Sequence, residues 1–316
     1  MTKILVAGGT GLIGTNLARG LKETGAAVRA SYHLTVPAAL EVEYQKYDFT
    51  SFEDCLTATA GMEAVFICAA QVFGVKGLTE SPSASILPNL QINAGIFEAC
   101  RQNGVKEIVF ISSSTVYQAA AFPIREDQLD LNLPPYELYF GVGWLNRYLE
   151  QLAGLYRKKH GMRILIVRPT NIYGPYDHFD NERSHVIPAL IRRALQKKVP
   201  FVIWGAGGEV RDFIYVDDFI ADLLAIFRLD KTGEPINVGS GTPITVREAA
   251  EIILKTCGHG APVEYDAAKP TAIPYRAVDI GRLEVLCGRR PRTSLAAGIK
   301  QTVAWYQKEM QSGRQQ

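Results

Sequence analysis

The sequence predicts an α/β protein built on a doubly wound parallel sheet, with a smaller lobe interwoven at its C-terminal end. Three observations carry this. Through the first half, short apolar β-type runs alternate with helical patterns. A glycine-rich turn joins the first run to the first helical stretch. From about residue 173 the regularity breaks into sequence rich in Gly and Pro, before a strand-like run returns at 236–238. At 316 residues and 47% apolar composition, the chain can bury a full core in one large domain or two coupled ones.

The elements follow in order. Strand-type runs fall at 4–7, 27–31, 42–47, 64–68, 108–112 and 164–167, and helical segments lie near 12–24, 86–103 and 141–160. There is no internal repeat and no low-complexity linker. Gly8-Gly9-Thr10-Gly11-Leu12-Ile13-Gly14 stands directly after the first run and opens the helix that holds Leu17 and Leu21. Glycines there let the backbone turn sharply and approach a pyrophosphate, whose charge meets free N–H groups and the positive helix end. Between a first strand and a first helix the pattern predicts a Rossmann-type dinucleotide site, with Gly8, Gly11, Leu12, Ile13 and Gly14 along the pyrophosphate. The dinucleotide-binding domain is expected over 1–172 plus about 212–240. A substrate-binding lobe is expected over 173–211 plus about 241–316.

A second strand that serves a free ribose 2′-hydroxyl ends on a carboxylate. This one runs Val28-Arg29-Ala30-Ser31-Tyr32-His33. Without a carboxylate, and with Arg29 and His33 nearby, a 2′-phosphate is tolerated, so NADP(H) is the expected cofactor and NAD(H) the alternative. Asp48 after the third strand, and Ala69 and Ala70 after the fourth, are expected to border the adenine and the ribose-phosphate.

Composition excludes other classes. The net charge is +2 and the cations are dispersed, apart from short runs such as Arg157-Lys158-Lys159 and Arg192-Arg193 that read as solvated helix faces. No nucleic-acid partner is expected. Cys55, Cys68, Cys100, Cys257 and Cys287 show neither metal-ligand pairing nor disulfide-like spacing, so no metal is expected and a reducing compartment fits. The N-terminus reads directly into an apolar strand without a leader, and no apolar run approaches membrane-spanning length. A cytoplasmic protein without a membrane partner is expected.

Several strings then give the chain a resemblance. Arg168-Pro169-Thr170-Asn171-Ile172-Tyr173-Gly174-Pro175-Tyr176-Asp177 is followed by Ser184-His185-Val186-Ile187-Pro188-Ala189-Leu190-Ile191-Arg192-Arg193. Ala69-Ala70-Gln71-Val72-Phe73-Gly74, Trp204-Gly205-Ala206-Gly207, Arg211-Asp212-Phe213 and Tyr265-Asp266-Ala267-Ala268-Lys269-Pro270 add to them. Over nearly its whole length the chain resembles the extended short-chain dehydrogenases of the epimerase/dehydratase type, and within them the GDP-L-fucose synthases, which epimerise and then reduce a GDP-4-keto-6-deoxy sugar.

The resemblance implies a nucleotide-sugar substrate, a homodimer, and roles position by position. Ser113 bonds the sugar keto oxygen. His185 and Thr115 take the two positions of the epimerisation acid and base, although Thr115 stands where the family has a cysteine, a far better proton carrier. Arg193, Trp204, Arg211 and Arg276 fall where the family contacts diphosphate and guanine, and a guanidinium fork and an aromatic face suit that task. Ser114 and Asn171 are implied at the substrate, and Asn146, Pro169, Asn171, Ile172 and His185 along the cofactor. Ser114 and Thr115 are not acidic, which argues against the dehydratases of the same superfamily.

One departure decides what chemistry remains. Where the family carries Tyr-x-x-x-Lys, this chain reads Val142-Gly143-Trp144-Leu145-Asn146. In the family the ammonium supports the tyrosine, and the tyrosine passes a proton to or from the sugar oxygen. Valine carries no proton and asparagine no charge. Tyr139, three residues earlier, shares a helix face with Val142 if the helix has begun, with Tyr136 a more distant substitute, but Pro134-Pro135 and the glycines at 141 and 143 place the helix start near or after Tyr139. Three readings stay open: an epimerase that moves a proton without net hydride transfer, a reductase using Tyr139, and a catalytically silent nucleotide-binding protein. The first is preferred, because losing the pair damages reduction more than proton exchange.

Overall fold

A computed structural model of the chain describes residues 2–35, 42–181, 183–269, 271, 273–288 and 293–312. Pro270, which closes the Tyr265 string, lies outside them. The alternation of the first half folds as β1 (Lys3–Ala7), α1 (Leu12–Glu23), β2 (Ala27–Tyr32), β3 (Glu43–Lys46), α2 (Phe52–Thr59), β4 (Ala64–Ile67), α3 (Val75–Glu80), α4 (Ile86–Gln102), β5 (Glu107–Ile111), α5 (Phe140–His160) and β6 (Arg163–Pro169). Then come β7 (Asn171–Tyr173), α6 (Val186–Leu195), β8 (Phe201–Trp204), β9 (Val210–Arg211), β10 (Phe213–Tyr215), α7 (Val216–Leu229) and β11 (Ile236–Val238). β12 (Ile244–Thr245), α8 (Val246–Thr256), β13 (Val263–Asp266), β14 (Tyr275–Arg276), α9 (Gly281–Cys287) and α10 (Leu295–Gln311) complete the chain.

Among the described residues, seven parallel strands form the main sheet in the order β11-β6-β5-β4-β1-β2-β3. Its order reverses between β1 and β4, and at such a switch point the carboxyl ends of the strands open a ligand crevice. Both faces are buried, as the near-continuous apolar runs require. Ile4 and Val6 point into one core with Leu17, Leu21 and Phe219, whereas Leu5 and Ala7 point into the other with Ile96, Phe97 and Leu149.

Beyond residue 173 the structure is more regular than the sequence suggests. The face Val216, Phe219, Ile220, Leu223 and Ile226 of α7 is buried at helical spacing. A capping box between Thr245 and Glu248 opens α8, and the Ser294 hydroxyl caps α10. The strands of this part are two to four residues long, in the small sheets β12-β9-β14 and β13-β8 and the pair β10-β7. No described helix is long and apolar enough to cross a membrane.

Candidate active site and cofactor cradle

Close backbone packing shapes the glycine turn after β1. Gly8 has φ +87°, and its amide donates to the Ser31 hydroxyl at 2.7 Å. A Cβ on Gly14 would stand 1.9 Å from the Gly8 carbonyl, so only glycine lets α1 approach the turn. Gly11 is different: a Cβ there would meet nothing within 4 Å. Gly11 is also the N-cap of α1 and supplies no capping side chain, whereas Ser51, Thr245 and Ser294 cap α2, α8 and α10. The first amides of α1 therefore lack a side-chain acceptor, and the space beside Gly11 is open, which suits a pyrophosphate. Ala69 packs against Gly8, and Ala70 is exposed beyond β4.

The adenosine side departs from expectation. Arg29, offered to a 2′-phosphate, is held by Glu43 opposite it on β3, with Nε 3.1 Å from the carboxylate. Parallel pairing sets these residues side by side, and the ion pair draws the guanidinium along the sheet. His33 lies beyond the end of β2, 3.8 Å from Asp48, and both are more than 40% exposed. Hydrogen bonds from Thr50 hold the Asp48 carboxyl below its ordinary value.

β5 delivers Ser112 and Ser113, and the chain turns at once through a short 3₁₀ segment, Ser114–Val116. The Ser113 hydroxyl accepts the Thr115 amide at 3.1 Å, which aims the turn. The hydroxyls of Ser114 and Thr115 are buried without a protein partner. They line a cavity of about 20 Å³ with Tyr117, Tyr136, Tyr139, Tyr275 and Arg276. A further apolar wall of Phe122, Ile124, Ile273 and Val278 bounds it. Arg147 fixes the turn from below: its Nε donates to the Val116 carbonyl and its Nη1 to the Leu133 carbonyl, both at 2.6 Å.

Val142 and Asn146 both lie on α5. A 3₁₀ turn, Glu137–Tyr139, leads into α5 at Phe140. A Cβ on Gly143 would lie 2.6 Å from Pro135 and 2.7 Å from the Thr115 carbonyl, so the residue after Val142 must be the smallest one. Val142 and Asn146 are half-buried one turn apart on α5. Tyr139 is buried at the helix start and faces the cavity instead, with Tyr136 at 6.3 Å between ring centroids. No lysine lines that cavity among the described residues.

From the second lobe, β9 and β14 bring two guanidiniums to the same place. They pair in parallel with Arg276 opposite Arg211. Arg276 donates to the Asn171 side-chain oxygen and sits over the Tyr139 ring, 4.9 Å from its centroid. Arg211 is buried, and burial, followed by the Arg276 charge, pulls it down to about 10. Neither forms an ion pair among the described residues. His185, the N-cap of α6, is exposed on its open side; desolvation by the surrounding protein, then the charges of Arg276 and His178, lower it to about 4. It is therefore a neutral base at neutral pH.

Two expected substrate contacts are not among the residues lining this cavity. Arg193 donates from Nη1 to the Val202 carbonyl at 2.6 Å and leans over Phe201, so it ties α6 to β8. Trp204 is partly exposed at the end of β8. Pro169 ends β6, and Asn171 and Ile172 begin β7, at the carboxyl edge of the sheet. The sequence alone did not mark Tyr275, on a strand of two residues, or the wall of Phe122 and Ile273 in irregular segments, since none of them carries a pattern.

The profile of the NAD dependent epimerase/dehydratase family matches residues 4–239. The chain belongs to that family. GDP-L-fucose synthase 1 of Arabidopsis thaliana is 35% identical over 321 residues, covering 98% of this chain and 94% of its own. GDP-L-fucose synthase of Escherichia coli strain K12 is 31% identical, covering 96% of each chain. Among solved structures, an epimerase from Methanothermobacter thermautotrophicus superposes with a TM-score of 0.87 at 26% identity, over 99% of this chain and 94% of that one. UDP-glucose 4-epimerase from Thermotoga maritima gives 0.87 at 24% identity over 98% and 100%, which speaks for the fold. This member of the epimerase/dehydratase family is an NAD(P)-dependent enzyme, and its glycine turn and uncapped α1 fit the dinucleotide.

Proposed function

We propose that this enzyme epimerises a GDP- or other nucleoside-diphosphate 4-keto-6-deoxy sugar with NADP(H) bound, and that any reduction it performs runs through Tyr139. The observation that carries the reading is the Arg211–Arg276 pair. Arg211, buried without an ion-paired carboxylate and desolvated enough to fall to about 10, is a standing site for a diphosphate, with Arg276 opposite it on the paired strand. They stand beside a cavity with two unpartnered hydroxyls and four tyrosines, the donors a sugar carbonyl and ring need.

In this reading neutral His185 takes the proton from the carbon next to the ketone, and the imidazolium returns one. Ser113, with Tyr139, donates to the oxygen that becomes the enolate. Thr115 is a hydrogen-bond donor there rather than a base. The bound nicotinamide supplies hydride for reduction. The absence of a carboxylate at the end of β2 favours the phosphorylated cofactor, with the exposed His33 imidazole beyond that strand as a further contact since Arg29 is engaged by Glu43.

The relatives' names support the sugar class. A homodimer is supported by α5, whose exposed residues Phe140, Trp144, Tyr148 and Leu155 make an uncharged stripe, and a cytoplasmic site by five free cysteines. The test mixes protein, NADPH and a GDP-4-keto-6-deoxy sugar in deuterated water. Deuterium at the sugar carbon supports the epimerase, NADPH oxidation adds the reductase, and neither defeats the reading in favour of a silent binding protein.

A further inference from the structure

We propose that the two paired arginines divide their labour: Arg211 holds the substrate's diphosphate, while Arg276 is committed to Tyr139, so the positive charge that family members carry on the helix is supplied here from the second lobe. This rests on the reading above. Its basis is how differently two neighbours on paired strands are used. Each arginine donates one side-chain hydrogen bond among the described residues: Arg211 from Nη1 to the Val210 carbonyl of its own strand at 2.7 Å, and Arg276 to Asn171, its buried Nε left without a partner; what separates them is the ring beneath Arg276. Arg276 is held on two sides. Its Nη2 reaches the Asn171 oxygen, and that oxygen cannot turn away because the Asn171 amide nitrogen donates to the Asp212 carbonyl at 2.8 Å. The guanidinium lies flat enough over Tyr139 to put its carbon 4.9 Å from the ring centroid.

A cation above an aromatic face is attracted by the ring's negative quadrupole, and the attraction grows as the ring gains electron density. Arg276 therefore stabilises Tyr139 most when its hydroxyl has given up a proton. In a reductive step a bound reduced nicotinamide would supply the hydride, and the part left to this chain is the proton for the sugar oxygen. The oxygen takes the Tyr139 proton, and the phenolate regains one from water. Arg276 touches none of the reacting atoms, so it is a positioning residue, and Tyr139 is the acid. With the phenol at the start of α5 and its cation on β14, the pair exists only while the two parts of the chain are joined.

The test uses the full-length enzyme and three readouts: NADPH oxidation, deuterium exchange, and calorimetric binding of GDP. Tyr139→Phe should slow hydride transfer about 100-fold or more, beyond whatever it removes from exchange as a donor to the enolate oxygen. Arg276→Gln should slow hydride transfer at least about tenfold through kcat, and Arg276→Lys, which keeps the charge, should recover most of it. GDP should bind Arg276→Gln nearly as it binds the wild type, whereas Arg211→Gln should weaken it about 10- to 100-fold. Equal weakening of GDP by both substitutions overturns the division of labour even if the wild type turns nothing over, an outcome that would separately defeat the proposed function. Hydride transfer unaffected by Tyr139→Phe overturns it as well.

Discussion

Replacing Glu150 with glutamine keeps its shape and removes its charge, and the cost can be worked from the structure. Glu150 and Arg168 meet bidentately, Oε2 to Nη2 at 2.6 Å and Oε1 to Nε at 3.0 Å, with each side chain 4% exposed. The Ser112 hydroxyl donates to Oε1 at 2.6 Å, Arg168 donates to the Tyr117 hydroxyl at 2.8 Å, and Tyr117 donates to Asn237 at 2.7 Å. Burial works against the Arg168 cation, but the bonds and charge of Glu150 more than offset it and hold Arg168 above the usual arginine range. A unit-charge pair about 4 Å apart at an effective dielectric constant of about 20 is worth about 4 kcal/mol, and removing one partner of a buried pair costs about 3–5 kcal/mol. At roughly 2 °C per kcal/mol for a chain of this size, Glu150→Gln should lower Tm by about 6–10 °C. The double variant Glu150→Gln/Arg168→Met leaves no stranded charge and should recover much of the loss. Thermal melts at fixed protein concentration read both. A melt within about 1 °C of wild type, or a double variant less stable than Glu150→Gln alone, refutes the account of this network.

Other positions give separate tests. Gly14→Ala forces a Cβ onto the Gly8 carbonyl and should lose both stability and cofactor binding, whereas Gly11→Ala, which meets nothing, should melt no lower than wild type yet bind NADPH about tenfold more weakly. A fluorescence titration of NADPH that Gly11→Ala leaves unchanged would move the pyrophosphate elsewhere. Burial raises Asp177 from 3.8 to about 7, so the folded chain holds a proton that the unfolded chain releases. That contribution is complete below the unfolded value and is lost as pH rises to about 7, a loss of roughly 4 kcal/mol. Asp177→Asn should flatten the fall in stability over this range in urea titrations; a parallel slope contradicts the protonated carboxyl. Tyr148→Glu charges the middle of the uncharged α5 stripe and should yield monomer in light scattering, and an intact dimer would place the contact on another face.

The first half of the fold was legible because the inner strands β1, β4, β5 and β6 are apolar on both faces and the helices α1, α4 and α5 are long enough to show their period, whereas the short α2 and α3 were not read. The helices expected at 12–24 and 86–103 end within one residue of Leu12–Glu23 and Ile86–Gln102. The second half was not, since two-residue strands such as Val210–Arg211 and Tyr275–Arg276 have no periodicity and exist through their pairing. The same holds for the site. Gly14 was readable from local spacing, and Gly143 carries its steric reason beside Val142. That Arg29 pairs with Glu43, and that Arg276 lies over Tyr139, depends on contacts between strands and lobes far apart in sequence. His185 was readable as a histidine, but its depressed basicity comes from burial and from Arg276, which no local pattern records.

The central claim is that this pocket still moves a proton at a sugar carbon although α5 carries Val142 and Asn146. The most direct measurement is kcat/KM for solvent deuterium exchange into the 4-keto sugar, followed from pH 4 to 8 in the wild type and in His185→Ala. Neutral His185, lowered to about 4, predicts a rate that holds through the neutral range, falls only toward pH 4, and vanishes in His185→Ala. Exchange that survives the loss of His185, or that falls around the ordinary histidine value, contradicts it.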